Sequence, residues 1–295
     1  MMCSCDKIIP GMLLAAARCD IPTLFVTGGV MKPKTFEEGP LKGNTYVTCD
    51  IKEAIGELNA GKLTEEEFRL IESQTCCSPG ACNMMGTANT MACIVEAMGL
   101  SLPTCSTMSA VSPERKVLCK ESGEYIMELV QNQVKASDII TETSIENAIK
   151  VALSFGGSSN MILHMIALAH ELGFYLDHFD FDEMSRQVPL LAKFKPASQY
   201  NLMDFHNVGG IPILMKKLSP VLDLSANTVM GLSFKKYLKL VEIHDYQVIR
   251  DFKDPISVEG GIAVLQGNLA PEGAIVKQSA VNPKMRDRKS TRLNS

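Results

Sequence analysis

Apolar residues recur along most of this chain at the three-to-four spacing of helices, and only short stretches switch to β-rich runs. Pro10 to Cys19 is rich in Ala and Leu with a proline in its first turn, which predicts a helix. Pro22 to Val30 then reads as a buried strand closing in a Gly28-Gly29 turn. Asp50 to Asn59 and Thr64 to Ser73 predict two amphipathic helices separated by Gly61, the second opened by a Thr64 to Glu67 capping box. Met84, Ala88, Met91, Ala92, Val95 and Met98 define a further helix, stopped by Gly99 and Pro103.

Ser144 to Leu153 and Asn160 to Leu172 predict two more helices around Gly156-Gly157-Ser158-Ser159. Asp182 to Val188 is a short helix, and Leu202 to Leu218 another, interrupted at Gly209-Gly210 and Pro212. The pattern changes near Asp254, where Pro and Gly become frequent and Ile262 to Leu265 and Ala274 to Val276 read as paired strands. Helices with intervening short strands make the fold class α/β. Residues 1–253 form a helix-rich N-terminal domain, and residues 254–285 the first strands of a β-rich C-terminal domain. Arg286 to Ser295 abandons the pattern for a polar, basic run, expected to be a non-native tail.

Composition narrows the function classes. With 46% hydrophobic and 21% charged residues, the 295-residue chain is a globular protein. A net charge of −4 supplies no basic field for nucleic acid, so no nucleic-acid partner is expected. The apolar stretch Met161 to Ala169 is broken by His164 and too short to span a bilayer, so none is expected in a membrane. Lys7 followed by Ile8 to Ala17 has the outline of a secretory signal, opposed by Asp6 before the apolar run and Pro10-Gly11 within it. Ten cysteines without regular spacing do not form a secreted disulfide framework, which leaves reduced cytoplasmic thiols, some of them ligands.

Two segments concentrate chemistry. Cys5-Asp6-Lys7 packs a thiol, a carboxylate and an amine into three positions ahead of Pro10-Gly11. Cys76-Cys77-Ser78-Pro79-Gly80-Ala81-Cys82-Asn83 runs into the Met84 helix, whose N-terminus would favour a thiolate. Zinc held by Cys3 and Cys5 or by Cys76 and Cys77 is one alternative, although neither segment has structural-zinc spacing. A cysteine nucleophile aided by His164 or His206 is another. His164, on an otherwise apolar helix, reads as a hydrogen-bonded core histidine or as one that supports a site without ligating.

Cys5-Asp6-Lys7-x-x-Pro10-Gly11 resembles the signature of the dihydroxy-acid and sugar-acid dehydratase family, which includes phosphogluconate dehydratase. Gly80 to Met91, continuing through Glu96 to Pro103, resembles that family's second block. Gly156 to Asn160 with His164, Val188 to Ala192, Val208 to Pro212, and Gly260-Gly261 through Gly267 to Pro271 follow in order. The resemblance covers roughly residues 1 to 285. It implies that Cys5 and Cys82 are two of three cysteines holding an iron–sulfur cluster, 2Fe-2S rather than 4Fe-4S. It also implies that Asp6 and Lys7 belong to a Mg²⁺ site, with the lysine carbamylated, since a carbamate is a hard oxygen donor and an ammonium is not. The implied reaction eliminates water from a 2,3-dihydroxy carboxylate and yields a 2-keto acid, in branched-chain amino-acid biosynthesis or on a sugar acid such as an aldonate or phosphogluconate. A homodimer acting on a small-molecule dihydroxy or sugar acid is implied as well.

The family's first cluster cysteine and a further magnesium carboxylate lie upstream of the Cys5 block, and its serine base and last magnesium glutamate lie in the C-terminal β domain. The chain is therefore expected to lack its start and most of that domain, to carry no catalytic base, and to be inactive alone. A short non-catalytic paralogue used for binding or assembly is the competing reading.

Overall fold

A computed structural model describes residues 1–244 and 247–286. Residues 287–295, which contain nearly all of the polar tail, lie outside it.

The chain opens with β1 (Met2–Cys3), turns at Cys5 and enters α1 (Ile8–Cys19). Pro10 sits in the first turn of α1, where a missing N–H leaves no bond unmade, and Ile9, Leu13 and Ala16 face the core. β2 (Val26–Thr27) pairs with β1 in parallel, Met2 opposite Val26. The expected nine-residue strand is thus only two residues long, because Gly28 and Gly29 end the pairing and Val30 instead bridges to Ala81 and Ser109.

Residues 33–77 leave this body as a small lobe. The hairpin of β3 (Lys34–Thr35) and β4 (Thr45–Tyr46) joins α2 (Asp50–Asn59) and α3 (Glu65–Gln74) around a separate core of Phe36, Leu41, Ala54 and Ile71. The Thr64 and Glu67 capping box forms, with both side chains bonded to the other's backbone N–H. Elements of the lobe pack on one another and make at most isolated contacts with those of the body. The lobe closes at a neck where the Lys32 amide donates to Ser78 Oγ (2.8 Å) and the Met31 amide to the Ala81 carbonyl (2.8 Å).

The body is built around α4 (Thr87–Ala97), whose residues from Asn89 onward are all buried. A helix buried on every side belongs in the middle of a protein, and α1, the helix over residues 142–154 and others pack around this one. Then follow α5 (Glu114–Gln131), α6 (Glu142–Ser154), α7 (Asn160–Glu171), α8 (His178–Gln187), α9 (Leu202–Asn207), α10 (Gly210–Lys217) and the single turn α11 (Phe234–Tyr237). The helix expected over Leu202 to Leu218 is two helices, with Pro212 in the first turn of the second. α5, the longest, was not expected. Its Val117, Met127 and Val130 are exposed, so its apolar residues trace no stripe.

β5 (Ala263–Gly267) and β6 (Ala270–Val276) form the expected antiparallel hairpin. It docks on α8 and the end of α6: the Gly261 amide donates to the Leu153 carbonyl (2.8 Å), and Asp182 Oδ1 accepts from the Val264 amide (2.8 Å). The architecture is mixed α/β, dominated by helices, with only two-stranded sheets among the described residues.

Candidate functional site

Three stretches distant in sequence meet at the Gly28-Gly29 turn. The Gly28 amide donates to the Cys3 carbonyl (2.9 Å), which fixes the strand that leads to Cys5. The Ala81 amide donates to the Gly29 carbonyl (2.8 Å), which fixes the segment that leads to Cys82. The Val30 amide donates to Met108 and the Ala110 amide to Val30, bringing in residues 104–110. Glycine is required here: a Cβ on Gly28 would lie 2.6 Å from that of Ser4, and one on Gly80 would lie 2.5 Å from the Met31 nitrogen. Gly80 also holds φ +127, a conformation L residues rarely adopt.

Cys5 is exposed, with φ +75 in the left-handed region, and its Sγ lies 3.6 Å from Asp6 Oδ1. Lys7, the residue before α1, places Nζ 3.9 Å from Asp6 Oδ2, both side chains well exposed at 63% and 47%. A pair this exposed contributes about 0–1 kcal/mol, so it is not what holds the turn together. His164, half-buried on α7 where that helix packs on α1, has its Nε2 buried without a partner. Burial lowers its pKa first, and the Lys7 cation lowers it further against the opposing pull of Asp6.

Cys82 is also exposed. It does not sit at the helix N-terminus as expected, because α4 begins only at Thr87 with Gly86 as its cap. The apolar spacing that starts at Met84 runs through two tight turns first, closed by the Met84 amide on the Cys82 carbonyl (2.8 Å) and the Gly86 amide on the Met84 carbonyl (2.9 Å). Cys82 therefore stands outside the first helical turn, where the dipole acts.

Cys5 and Ala81, the neighbour of Cys82, line one small cavity with Ser4, Gly28, Gly29 and Asn89. Cys3 faces the core and burial pushes its thiol up to about 11. His206 Nδ1 is engaged by Thr107 Oγ1 (3.1 Å), so neither it nor His164 is set against a thiol. Among the described residues no three His, Cys, Asp or Glu side chains cluster closely enough to hold a metal ion by themselves. A large concavity between α6 and α8 lies apart from these groups and is lined by no Cys or His.

Beneath the turn lie two groups that the periodicity hid. Glu96 on α4 accepts from the amides of Thr104 (2.7 Å) and Ser106 (2.9 Å) and from Ser106 Oγ (2.5 Å). Arg115 on α5 donates to the carbonyls of Thr27, Cys105, Met108 and Ser109 at 2.6–3.1 Å. A carboxylate inside the otherwise apolar run Met91 to Met98 was the available signal for the first; the second had none.

The profile of the family described as dihydroxy-acid/6-phosphogluconate dehydratase, N-terminal, matches residues 1–237, and its C-terminal counterpart matches residues 247–292. The chain belongs to the dihydroxy-acid/6-phosphogluconate dehydratase family. It is 45% identical over 284 residues to a dihydroxy-acid dehydratase of Caldanaerobacter subterraneus, covering 96% of this chain and 50% of that protein. The protein of the same name from Methanococcus aeolicus is 43% identical over 283 residues, and that of Aquifex aeolicus 40% over 284, with the same coverages. The chain thus spans about half the length of the curated relatives it matches.

For a member of this dehydratase family, the donor chemistry of the described residues fits a share of each implied group. Two exposed thiols without disulfide partners, carried on loops pressed together through glycines, suit a thiolate-held iron–sulfur cluster. An exposed carboxylate and an exposed amine that can become a carbamate suit a hard cation.

Proposed function

We propose that this chain is the N-terminal half of a hydro-lyase that removes water from a 2,3-dihydroxy carboxylate to give a 2-keto acid. Supporting this reading is the convergence of the Cys5-Asp6-Lys7 turn and the Cys82 segment on Gly28-Gly29, together with family membership and relatives named dihydroxy-acid dehydratase. Cys5 and Cys82 would hold an iron–sulfur cluster of the 2Fe-2S type, and Asp6 with carbamylated Lys7 would bind Mg²⁺. When bound, the two groups supply Lewis acidity toward a substrate hydroxyl and neutralise substrate carboxylate charge. The chain's own residues orient: the glycine turn fixes the two thiol loops. The C2 proton is assigned to a serine base outside the described residues, so the chain alone is proposed not to turn over.

Residues 1–253 are assigned to the cluster-bearing domain and 254–285 to the start of the second. A homodimer in the cytoplasm, acting in branched-chain amino-acid biosynthesis, completes the proposal. The family profile also covers phosphogluconate dehydratase, which keeps a sugar acid as the alternative substrate.

Anaerobic reconstitution with iron and sulfide tests the reading. The expected result is a visible absorption band that Cys5→Ser and Cys82→Ser each diminish; a chain that stays colourless and binds no iron overturns the cluster assignment.

A further inference from the structure

We propose that Asn89 is the positioning residue for the Cys82 thiol, an inference that rests on reading Cys82 as a cluster ligand. Residues 82–86 make two successive three-residue turns, each closed by one bond. Such turns are weak by themselves. Asn89 lies in the first turn of α4, only 2% exposed, and its Nδ2 donates to both the Cys82 carbonyl (2.5 Å) and the Met84 carbonyl (2.7 Å). With two carbonyls as partners, the amide nitrogen and not its oxygen must face the turn.

The direction of these bonds sets Asn89 apart from a helix cap. A cap residue precedes the helix and accepts from its free amides, whereas Asn89 reaches backwards from inside the helix and donates to carbonyls that precede it. A buried amide left unpaired is costly. Here both of its donors are spent on the cysteine turn. The neighbours are anchored elsewhere: the Met85 amide donates to the Lys195 carbonyl (2.9 Å), and Asn83 Oδ1 accepts from the Leu202 amide (2.8 Å). Asn89 also lines the cavity shared with Cys5, Gly28 and Ala81. It therefore ties the backbone of Cys82 to the rigid central helix directly under the other thiol loop.

The thiols of the chain supply their own controls. In the reduced, metal-free chain, alkylation by iodoacetamide is followed residue by residue by peptide mass spectrometry. Asn89→Asp keeps the volume and removes the donors. Because Cys82 is already exposed, release of its turn is expected to change its rate in either direction, on the order of fivefold, the effect of losing one or two neutral hydrogen bonds. Cys5, Cys19 and Cys119, which are exposed, should be unchanged, and Cys93 and Cys105, which are buried, should stay protected. An unchanged Cys82 rate overturns the proposal, and so does a common rise that includes Cys93 and Cys105, which would mark general loosening. In the unsubstituted chain the Asn89 side-chain amide protons should exchange slowly by NMR; fast exchange overturns the proposal even if the variant does not fold. Reconstitution with iron and sulfide is run beside this. A wild-type chain that takes up no iron removes the cluster reading of Cys82, while the alkylation result still decides what Asn89 does.

Discussion

Glu96 and Arg115 grip the same loop from opposite chemical sides. The carboxylate takes the N–H groups of Thr104 and Ser106, and the guanidinium takes the C=O groups of Cys105 and Met108. The alternation along 104–108 is the backbone's own, so one buried anion and one buried cation can satisfy it without touching each other. Thr104 sits in the left-handed region at φ +62, a conformation that costs about 1–3 kcal/mol and persists only where the surroundings impose it. Arg115 also holds the Thr27 carbonyl (2.6 Å), which carries the grip to the strand beside the glycine turn. The loop is thereby made a fixed wall under the candidate site.

Glu96 makes stability depend on pH. Burial raises its pKa to about 7 from 4.5, with the Ser106 and Thr104 donors and Arg115 pulling the other way. Cys93, Cys105 and Tyr237 also feel this carboxyl, and none of them carries positive charge. A carboxyl with a higher pKa folded than unfolded binds more protons in the native state between the two values. Its contribution is full below about 4.5 and is lost as pH rises through about 7, on the order of 3 kcal/mol in all. Urea denaturation at pH 5 and pH 8 should show the chain more stable at pH 5. Glu96→Gln should shrink that difference, and an undiminished difference would assign it to other groups.

Arg115→Lys should behave as a severe substitution despite keeping the charge. An ammonium on a flexible stem cannot reach four carbonyls set around a planar fork, and each one abandoned in the interior costs about 1–3 kcal/mol. A loss of about 3 kcal/mol is expected from the urea midpoint, with the signal of a folded chain retained in circular dichroism. A loss below about 1 kcal/mol, the range of an ordinary surface change, would mean that the loop holds itself.

Much of this was legible in the residues. Helices with a one-sided apolar stripe and a capping signal, such as Glu65–Gln74 behind Thr64, follow from local physics, and so does the C-terminal hairpin. The start of α4 was misplaced because Met84 and Met85 keep the helical spacing while their backbone is spent on turns that Asn89 ties back. α5 escaped because it buries little: Leu118, Ser122 and Leu129 face inward beside Arg115, a mixed set that no period identifies. The thiol and acid positions of the candidate site stand out in the sequence as chemistry. That they meet at Gly28-Gly29 was not, because strand pairing between Val30 and Ala81 is a long-range choice.

Gly80 should be the least replaceable residue of the thiol loops. An added Cβ meets backbone atoms at 2.5–3.0 Å, and φ is +127. Gly39 is the comparison: its φ is +79, yet a Cβ there meets nothing within 4 Å. Gly39→Ala should cost about 1 kcal/mol from conformation alone, whereas Gly80→Ala adds a displacement of Met31 and should cost ~3 kcal/mol. Thermal melts of the two variants side by side test this, and equal losses would show that the neck at Met31 yields freely.

The lobe of residues 33–77 is latched to the body by a partly buried ion pair, Lys195 Nζ to Asp50 Oδ2 at 2.6 Å. Asp50 Oδ2 also accepts from the Val47 amide (2.7 Å) at the start of α2, and Asp50 is only 6% exposed. Removing one partner of such a pair leaves the other charged and desolvated, which costs about 3–5 kcal/mol when burial is complete and less here, since Lys195 is 21% exposed. Because the lobe has its own core and its helices and strands make at most isolated contacts with those of the body, that loss should appear as local opening and not as global unfolding. Lys195→Met is therefore expected to speed amide hydrogen exchange across α2 and the Lys34 to Tyr46 hairpin at least ~10-fold, while α4 and α6 keep their protection. Uniform loss of protection through α4 would instead show that lobe and body unfold as one unit, and no change in the lobe would show that the neck at Lys32 and Ser78 suffices to hold it.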